Sequence, residues 1–298
     1  MSSVSFVKIQ KNTVASTRRA IGEALNLVDY SFKKEIRNVV IKPNLCYYWD
    51  YSTGQTTDPR FVQALIDLLR EKIVPNPNIS IVEADASAMK CRHAFKFLGY
   101  EKLAKNNVKL VNLSEDRSDP VAVRVGRHIA ELRVPRTIRD ADLRINVPKI
   151  KYIPGQIKIT CALKNIFGCN PYPKKIRLHP QLEVAIVATN KAMRFELCIV
   201  DGNIVSGVQP RRLGLVMASE DSVAIDTAAA RIAGLNSNLR YLRIASHEGI
   251  GNMSFVPKGE PLEYFKARYP QQSSKDKLLG IAYKMVVHMR LGKRLGLE

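Results

Sequence analysis

From residue 4 to residue 234, short apolar runs of strand length alternate with longer stretches whose apolar residues recur at helical spacing. That alternation constrains the chain to an α/β fold, a layered sheet of mostly parallel or mixed strands flanked by helices. Strands are expected over residues 4–9, 38–42, 78–83, 108–113, 142–147, 195–200 and 213–218, and a hairpin over 121–134 turns at Gly126 and Arg127. Helices are expected over 16–27, 57–72, 89–98, 159–167, 180–193 and 219–233. Thr57, Asp58 and Pro59 carry the signs of a capped helix start, and Gly234 those of a left-handed stop.

No internal repeat or linker divides residues 1–270, which are expected to form one α/β domain of at most two lobes. Residues 271–298 form a different kind of segment. Leu278, Ile281, Ala282, Met285, Val286 and Met289 recur at helical spacing among Lys284, Arg290, Lys293 and Arg294, the pattern of a basic amphipathic helix. Such a tail has three fates: packing on its own domain, dimerisation, or lying on an anionic membrane surface.

Residues 146–168, NVPKIKYIPGQIKITCALKNIFG, interrupt the apolar pattern with four lysines, two asparagines and a threonine. A buried strand–helix unit does not hold so many long cations without an anionic partner. Lys149 and Lys151 follow the expected strand over 142–147, and Lys164 and Asn165 lie inside the apolar helical run of 159–167. A phosphate, carboxylate or nucleotide would satisfy them. The plainer alternative is that these lysines snorkel to solvent along their stems.

Charge and composition narrow the remaining classes. The net charge is +20, and residues 121–180 carry thirteen basic against three acidic residues, so half of the excess lies in a fifth of the chain. Such a field attracts small anions, lipid head groups or nucleic acid. Nucleic acid is the less favoured partner, because no zinc-finger spacing, aromatic strand motif or helix-turn-helix pattern accompanies the charge. No apolar stretch reaches the roughly 18 residues of a membrane span, and MSSVSFVKIQ lacks the features of a signal peptide, so a cytoplasmic location is expected. Five scattered cysteines without a CxxC pair imply reduced thiols, and no iron–sulfur cluster is expected.

Each candidate site residue has two readings. Lys42 and Asn44 stand where a strand meets a Pro-fixed turn, placed to face a cleft at the carboxyl edge of the sheet or simply to make the turn. Thr56 and Thr57 offer hydroxyls and backbone amides to an anion, or only cap the following helix. Burial would lower the pKa of Lys164 and make it a base or nucleophile, or leave it charged against a bound anion with Asn165 orienting the ligand. Asp201 follows a strand and precedes a glycine, a place for a general base or a turn. Asp226 lies among apolar residues, so it needs a partner, and a lysine of 146–168 is the expected one. His179, and with it His247, is a candidate proton-transfer group or a surface residue.

The order of several motifs resembles domain-of-unknown-function family 362. They are IKPNLC at 41–46, TTDPR at 56–60, INVPKIK at 145–151, ITCALKNIFG at 159–168, DGNIVSG at 201–207 and ASEDSVAIDTAAARIAG at 218–234. The resemblance spans roughly residues 39–251 and implies redox company, since many members carry iron–sulfur ferredoxin modules; none is visible here. Members commonly have a histidine shortly after the lysine pair, where this chain has Ile153.

The leading expectation is an α/β enzyme that holds a small anionic substrate or cofactor with Lys42, Asn44, Thr56, Thr57, Lys149, Lys151 and Asn165. Lys164, Asp201, Asp226 and His179 would supply its chemistry. A basic binding or scaffold protein for nucleic acid or an anionic membrane, and an electron-transfer role, are the alternatives.

Overall fold

The structure, a computed structural model, describes residues 1–270 except 34, 153–156, 173 and 208, and describes only the backbone of 176, 177 and 179. The expected tail helix and Ile153 lie outside the described residues. Twelve strands are described: β1 (Ser2–Lys8), β2 (Asn38–Pro43), β3 (Asn78–Glu83), β4 (Val108–Asn112), β5 (Ser118–Val125), β6 (His128–Pro135), β7 (Leu143–Val147), β8 (Lys151–Tyr152), β9 (Ile159–Thr160), β10 (Leu197–Val205), β11 (Arg211–Ser219) and β12 (Phe255–Gly259). The α-helices are α1 (Val14–Leu27), α2 (Pro59–Lys72), α3 (Cys91–Phe97), α4 (Arg136–Arg139), α5 (Ala162–Phe167), α6 (Leu182–Ala192), α7 (Ser222–Ile232), α8 (Arg240–His247) and α9 (Leu262–Lys266).

Eight strands form one mostly parallel sheet in the order β12-β1-β11-β10-β7-β2-β3-β4; β1 and β10 pair antiparallel with β11, and the other pairs are parallel. Side chains alternate between two core layers, as strand geometry requires. On β11, Leu213, Leu215 and Met217 join one layer, and Val216 and Ala218 the other. Both faces are therefore covered, and the central strand NVVIKP is buried at all but its first position. Hairpin β5–β6 forms a separate sheet whose turn holds Gly126 at φ 56, the left-handed backbone of a tight two-residue turn.

Helix α2 starts as its residues direct: Asp58 accepts the Arg60 N–H, Pro59 fills the first position, and Arg70 and Lys72 sit in the last turn, where the helix dipole favours cations. Helix α7 starts likewise on Asp221, which accepts from Val223 N and Ala224 N.

Two expectations are corrected. Residues 159–167 are not one helix: Ile159 and Thr160, both β-branched, pair with Tyr152 and Lys151, and the helix begins only at Ala162. Asp201 does not end its strand. Strand β10 runs on to Val205 because Gly202 lies flat against Leu215, where a Cβ would come within 2.9 Å, and the chain passes through an irregularity without turning.

The topology places one special point. From β2 the order runs through β3 to β4, whereas β7 returns to the opposite side of β2 and leads to β10. The order reverses between β2 and β7, and the crevice beyond the carboxyl ends of such strands is where open α/β sheets bind ligands.

Candidate functional site

At this reversal Lys42 lies opposite Asn146, and Pro43 opposite Val147. Asn165, on the short helix α5, spans the two strands: its Nδ2 donates to Asn146 Oδ1 (2.8 Å) and to Lys42 O (3.1 Å). Its Oδ1 accepts from Asn44 Nδ2 (3.2 Å) and Lys42 Nζ (3.4 Å). Of the candidate site residues, Lys42, Asn44 and Asn165 therefore come together.

The lysines divide into two sets. Lys42, 1% exposed, donates to Glu83 Oε2 at 2.8 Å and to Pro43 O at 2.7 Å. Lys149, 2% exposed, lies 3.1 Å from Asp201 Oδ2. Each is a buried ion pair whose carboxylate has further hydrogen bonds, which helps to hold the charges out of water. Glu83 also accepts from Leu45 N and Ala84 N, and Asp201 from Asp58 N and Asn203 N. Both oxygens of Asp201 are thus engaged in holding the loop ahead of α2 and the irregular stretch of β10.

Lys151, Lys164 and Lys175 have no carboxylate ion pair among the described residues. Lys151 donates to Gln55 O at 3.1 Å and bonds the Cys46 thiol; burial, then the nearby charge of Lys149, holds its ammonium below its ordinary pKa. Lys164 is half-buried, and burial followed by repulsion from Lys151 lowers its pKa to about 8. Lys175 donates to Asp85 O at 2.7 Å and is also lowered to about 8, chiefly by burial. Asn44, Cys46 and Lys164 are the half-buried members, so the cluster is reached from their side.

Other candidates have different places. Thr57 Oγ1 accepts from Asn44 N at 2.9 Å and spends its one proton on Val147 O, also at 2.9 Å; Thr56 Oγ1 accepts from Cys46 N at 3.4 Å. Both threonines clamp the loop after β2 against the sheet. The expected lysine partner of Asp226 is corrected: the carboxylate accepts from Ala162 N (2.5 Å), Leu163 N (3.3 Å) and Tyr241 OH (3.1 Å). It caps α5 from a neighbouring helix because Cys161 supplies no side-chain cap, and burial raises its pKa to about 7. The backbone of His179 lies in a 3₁₀ turn over Lys175–Gln181 and its side chain is outside the described residues; His247 is exposed at the end of α8.

Sequence reasoning missed four members. Glu83 had a signal, a carboxylate closing a strand with Ile79, Ile81 and Val82, and Asn146 had one as the first of the two asparagines in 146–168, whereas Cys46 and Lys175 had none that local pattern could supply. Two surface clefts, about 580 Å³ beside α1 and α2 and about 410 Å³ beside Arg60 and Phe97, are lined by none of the five lysines. The lysine cluster has the stronger claim to chemistry, since convergent buried charge marks functional sites more specifically than an open groove does. Among the described residues no group of three His, Cys, Asp or Glu side chains gathers as metal ligands, and no helix is long and apolar enough to cross a membrane.

Fold and site define an α/β protein with a buried cation–carboxamide network at the reversal of its parallel sheet. The chain belongs to the family described as Domain of unknown function (DUF362), which it matches over residues 39–231. It is 29% identical over 225 residues to a thylakoid-associated protein of Synechocystis sp., a match covering 69% of this chain and 66% of that protein. The lactate racemase apoprotein of Thermoanaerobacterium thermosaccharolyticum superimposes with a TM-score of 0.42 at 12% identity, over 83% of this chain and 57% of that one.

Proposed function

We propose that the chain is an enzyme that binds a small oxyanion at the carboxyl ends of β2 and β7, with Lys151, Lys164 and Lys175 supplying the positive charge. The observation that carries this reading is the division of the lysines: two are neutralised by carboxylates, whereas three have no carboxylate ion pair among the described residues, and two of these, Lys151 and Lys164, lie near enough to repel each other. Uncompensated buried ammonium groups repel one another and forgo hydration, so an anion of phosphate or carboxylate type relieves both penalties. Lys164, with a pKa near 8 and a half-buried side chain, is the member suited to take or give a proton or to act as an amine nucleophile.

Native mass spectrometry of freshly purified protein tests the binding directly: a retained anion is expected, and Lys151→Met or Lys164→Met should remove it. Retention by the folded Lys164→Met variant with unchanged affinity would count against the assignment.

A second reading, association with an anionic membrane surface, draws support from a separate patch. Tyr47, Tyr48, Trp49 and Phe97 are exposed, with the Tyr48 and Phe97 rings 5.6 Å apart, and Lys90, Arg92 and Lys96 are exposed alongside. Aromatic rings beside cations suit a head-group interface, and the similar Synechocystis protein is thylakoid-associated. Sedimentation with vesicles containing phosphatidylserine should fall when Tyr47 and Trp49 are changed to Ser. Equal partitioning of variant and parent would remove this surface from consideration.

A further inference from the structure

The three carboxamides at the sheet reversal have a fixed polarity. Asn146 Nδ2 donates to Ala162 O at 2.9 Å, and a backbone carbonyl only accepts. Asn146 must therefore present Oδ1 to Asn165, whose Nδ2 meets it at 2.8 Å and also meets Lys42 O. Asn165 then presents Oδ1 to the Lys42 ammonium, which only donates, and to Asn44 Nδ2 at 3.2 Å. Reversing the Asn44 amide would set two carboxamide oxygens against each other. Carbonyl and ammonium together determine all three orientations.

The consequence is chemical. Asn44 Oδ1 is buried and accepts from no donor among the described residues, although Asn44 itself is half-buried at the open side of the cluster. Buried carbonyl oxygens are nearly always paired, and leaving one unmet is costly. No described lysine donates to it. A fully deprotonated oxyanion would satisfy the lysines and face this oxygen with another acceptor, which is repulsive.

We infer that the anion held at this site carries a hydrogen-bond donor next to its charged oxygens, either a protonated oxyanion or an anion with an adjacent hydroxyl, and that Asn44 Oδ1 accepts from it. This rests on the anion-binding reading above and restricts it to one class of ligand. Asn44 becomes a specificity-determining residue, distinguishing anions by what they donate while the lysines attract them by charge.

Calorimetric titration of the full chain at pH 7 with two matched pairs, phosphate against sulfate and glycolate against acetate, tests the inference. The first member of each pair carries a donor and the second does not. A site built around a hydroxyl partner rejects the analogue that lacks it, so in at least one pair the donor-bearing anion should bind about tenfold tighter or more. Asn44→Leu should bring that ratio close to one by weakening the donor-bearing anion. Equal affinities within both pairs would overturn the inference and leave the anion site standing; no binding of any of the four would overturn the anion site as well. Should Asn44→Leu fail to fold, the ratios of the parent protein decide alone.

Discussion

Lys42 and Lys149 are of the same type as Lys151, Lys164 and Lys175 and lie at the same end of the fold, yet among the described residues only the first two of the five have a carboxylate within ion-pairing distance. The difference separates two uses of a buried cation. A paired lysine fixes structure: Lys42 ties β2 to β3 through Glu83, and Lys149 ties the segment after β7 to β10 through Asp201. An unpaired lysine is held in place by the fold at a cost, which loss of its proton or the binding of an anion would relieve.

Breaking the paired set should have the largest effect. Glu83→Gln and Asp201→Asn keep shape but leave a buried ammonium without its counter-charge, which is expected to destabilise the fold by about 3–5 kcal/mol in each case. Urea unfolding would measure it. A loss below about 1 kcal/mol would show that the lysines reach solvent or another anion, and the contrast between the two sets would disappear.

The next effect concerns Asp226, which orients α5 and so the Lys164–Asn165 pair. Its folded pKa, about 7, lies above the ordinary value of 3.8, so its contribution to stability is fully present below pH 3.8 and is lost as pH rises through about 7. Lys164 and Lys175 have the opposite sign. Their folded values of about 8 lie below 10.5, so their contribution is present above pH 10.5 and lost as pH falls through about 8. Without a ligand these groups together place a minimum of stability between about pH 7 and 8. Asp226→Asn should flatten the acid side of that minimum while costing about 1–3 kcal/mol at low pH through the weaker cap. Thermal unfolding from pH 4 to 10 would show both, and a profile unchanged in shape would mean that Asp226 does not titrate in this range.

Much of this was legible in the sequence, and the division between the lysines was not. The alternating periods located seven of the eight strands of the large sheet, though not the edge strand β12, and TTDPR marked the start of α2, because these follow from local pattern. The motif around Lys164 and Asn165 pointed to the segment that holds the carboxamide network. What pairs with what is decided by which strands adjoin: Glu83 reaches Lys42 only because β3 lies beside β2, and Asp201 reaches Lys149 only because β10 lies beside β7. Asp226 misled for the same reason, since its partners are two backbone amides and a tyrosine hydroxyl that no spacing reveals. Ile159 and Thr160 suit a helical period or a strand equally, and pairing with Lys151 and Tyr152 decided it.

The smallest expected change in stability is the most discriminating, because its sign separates the two sets. Replacing Lys164 by Met removes a charge that no described carboxylate balances and keeps a similar apolar stem, so the unliganded protein should be unchanged or more stable by up to about 1–2 kcal/mol at pH 7. The same substitution should abolish the stabilisation that an added anion gives the parent, which at one hundred times its dissociation constant is about 2.7 kcal/mol. Thermal unfolding with and without phosphate or glycolate would display both. If Lys164→Met instead destabilised the protein as severely as Glu83→Gln, Lys164 would belong with the paired lysines, and the positive charge available to a ligand would shrink to Lys151 and Lys175.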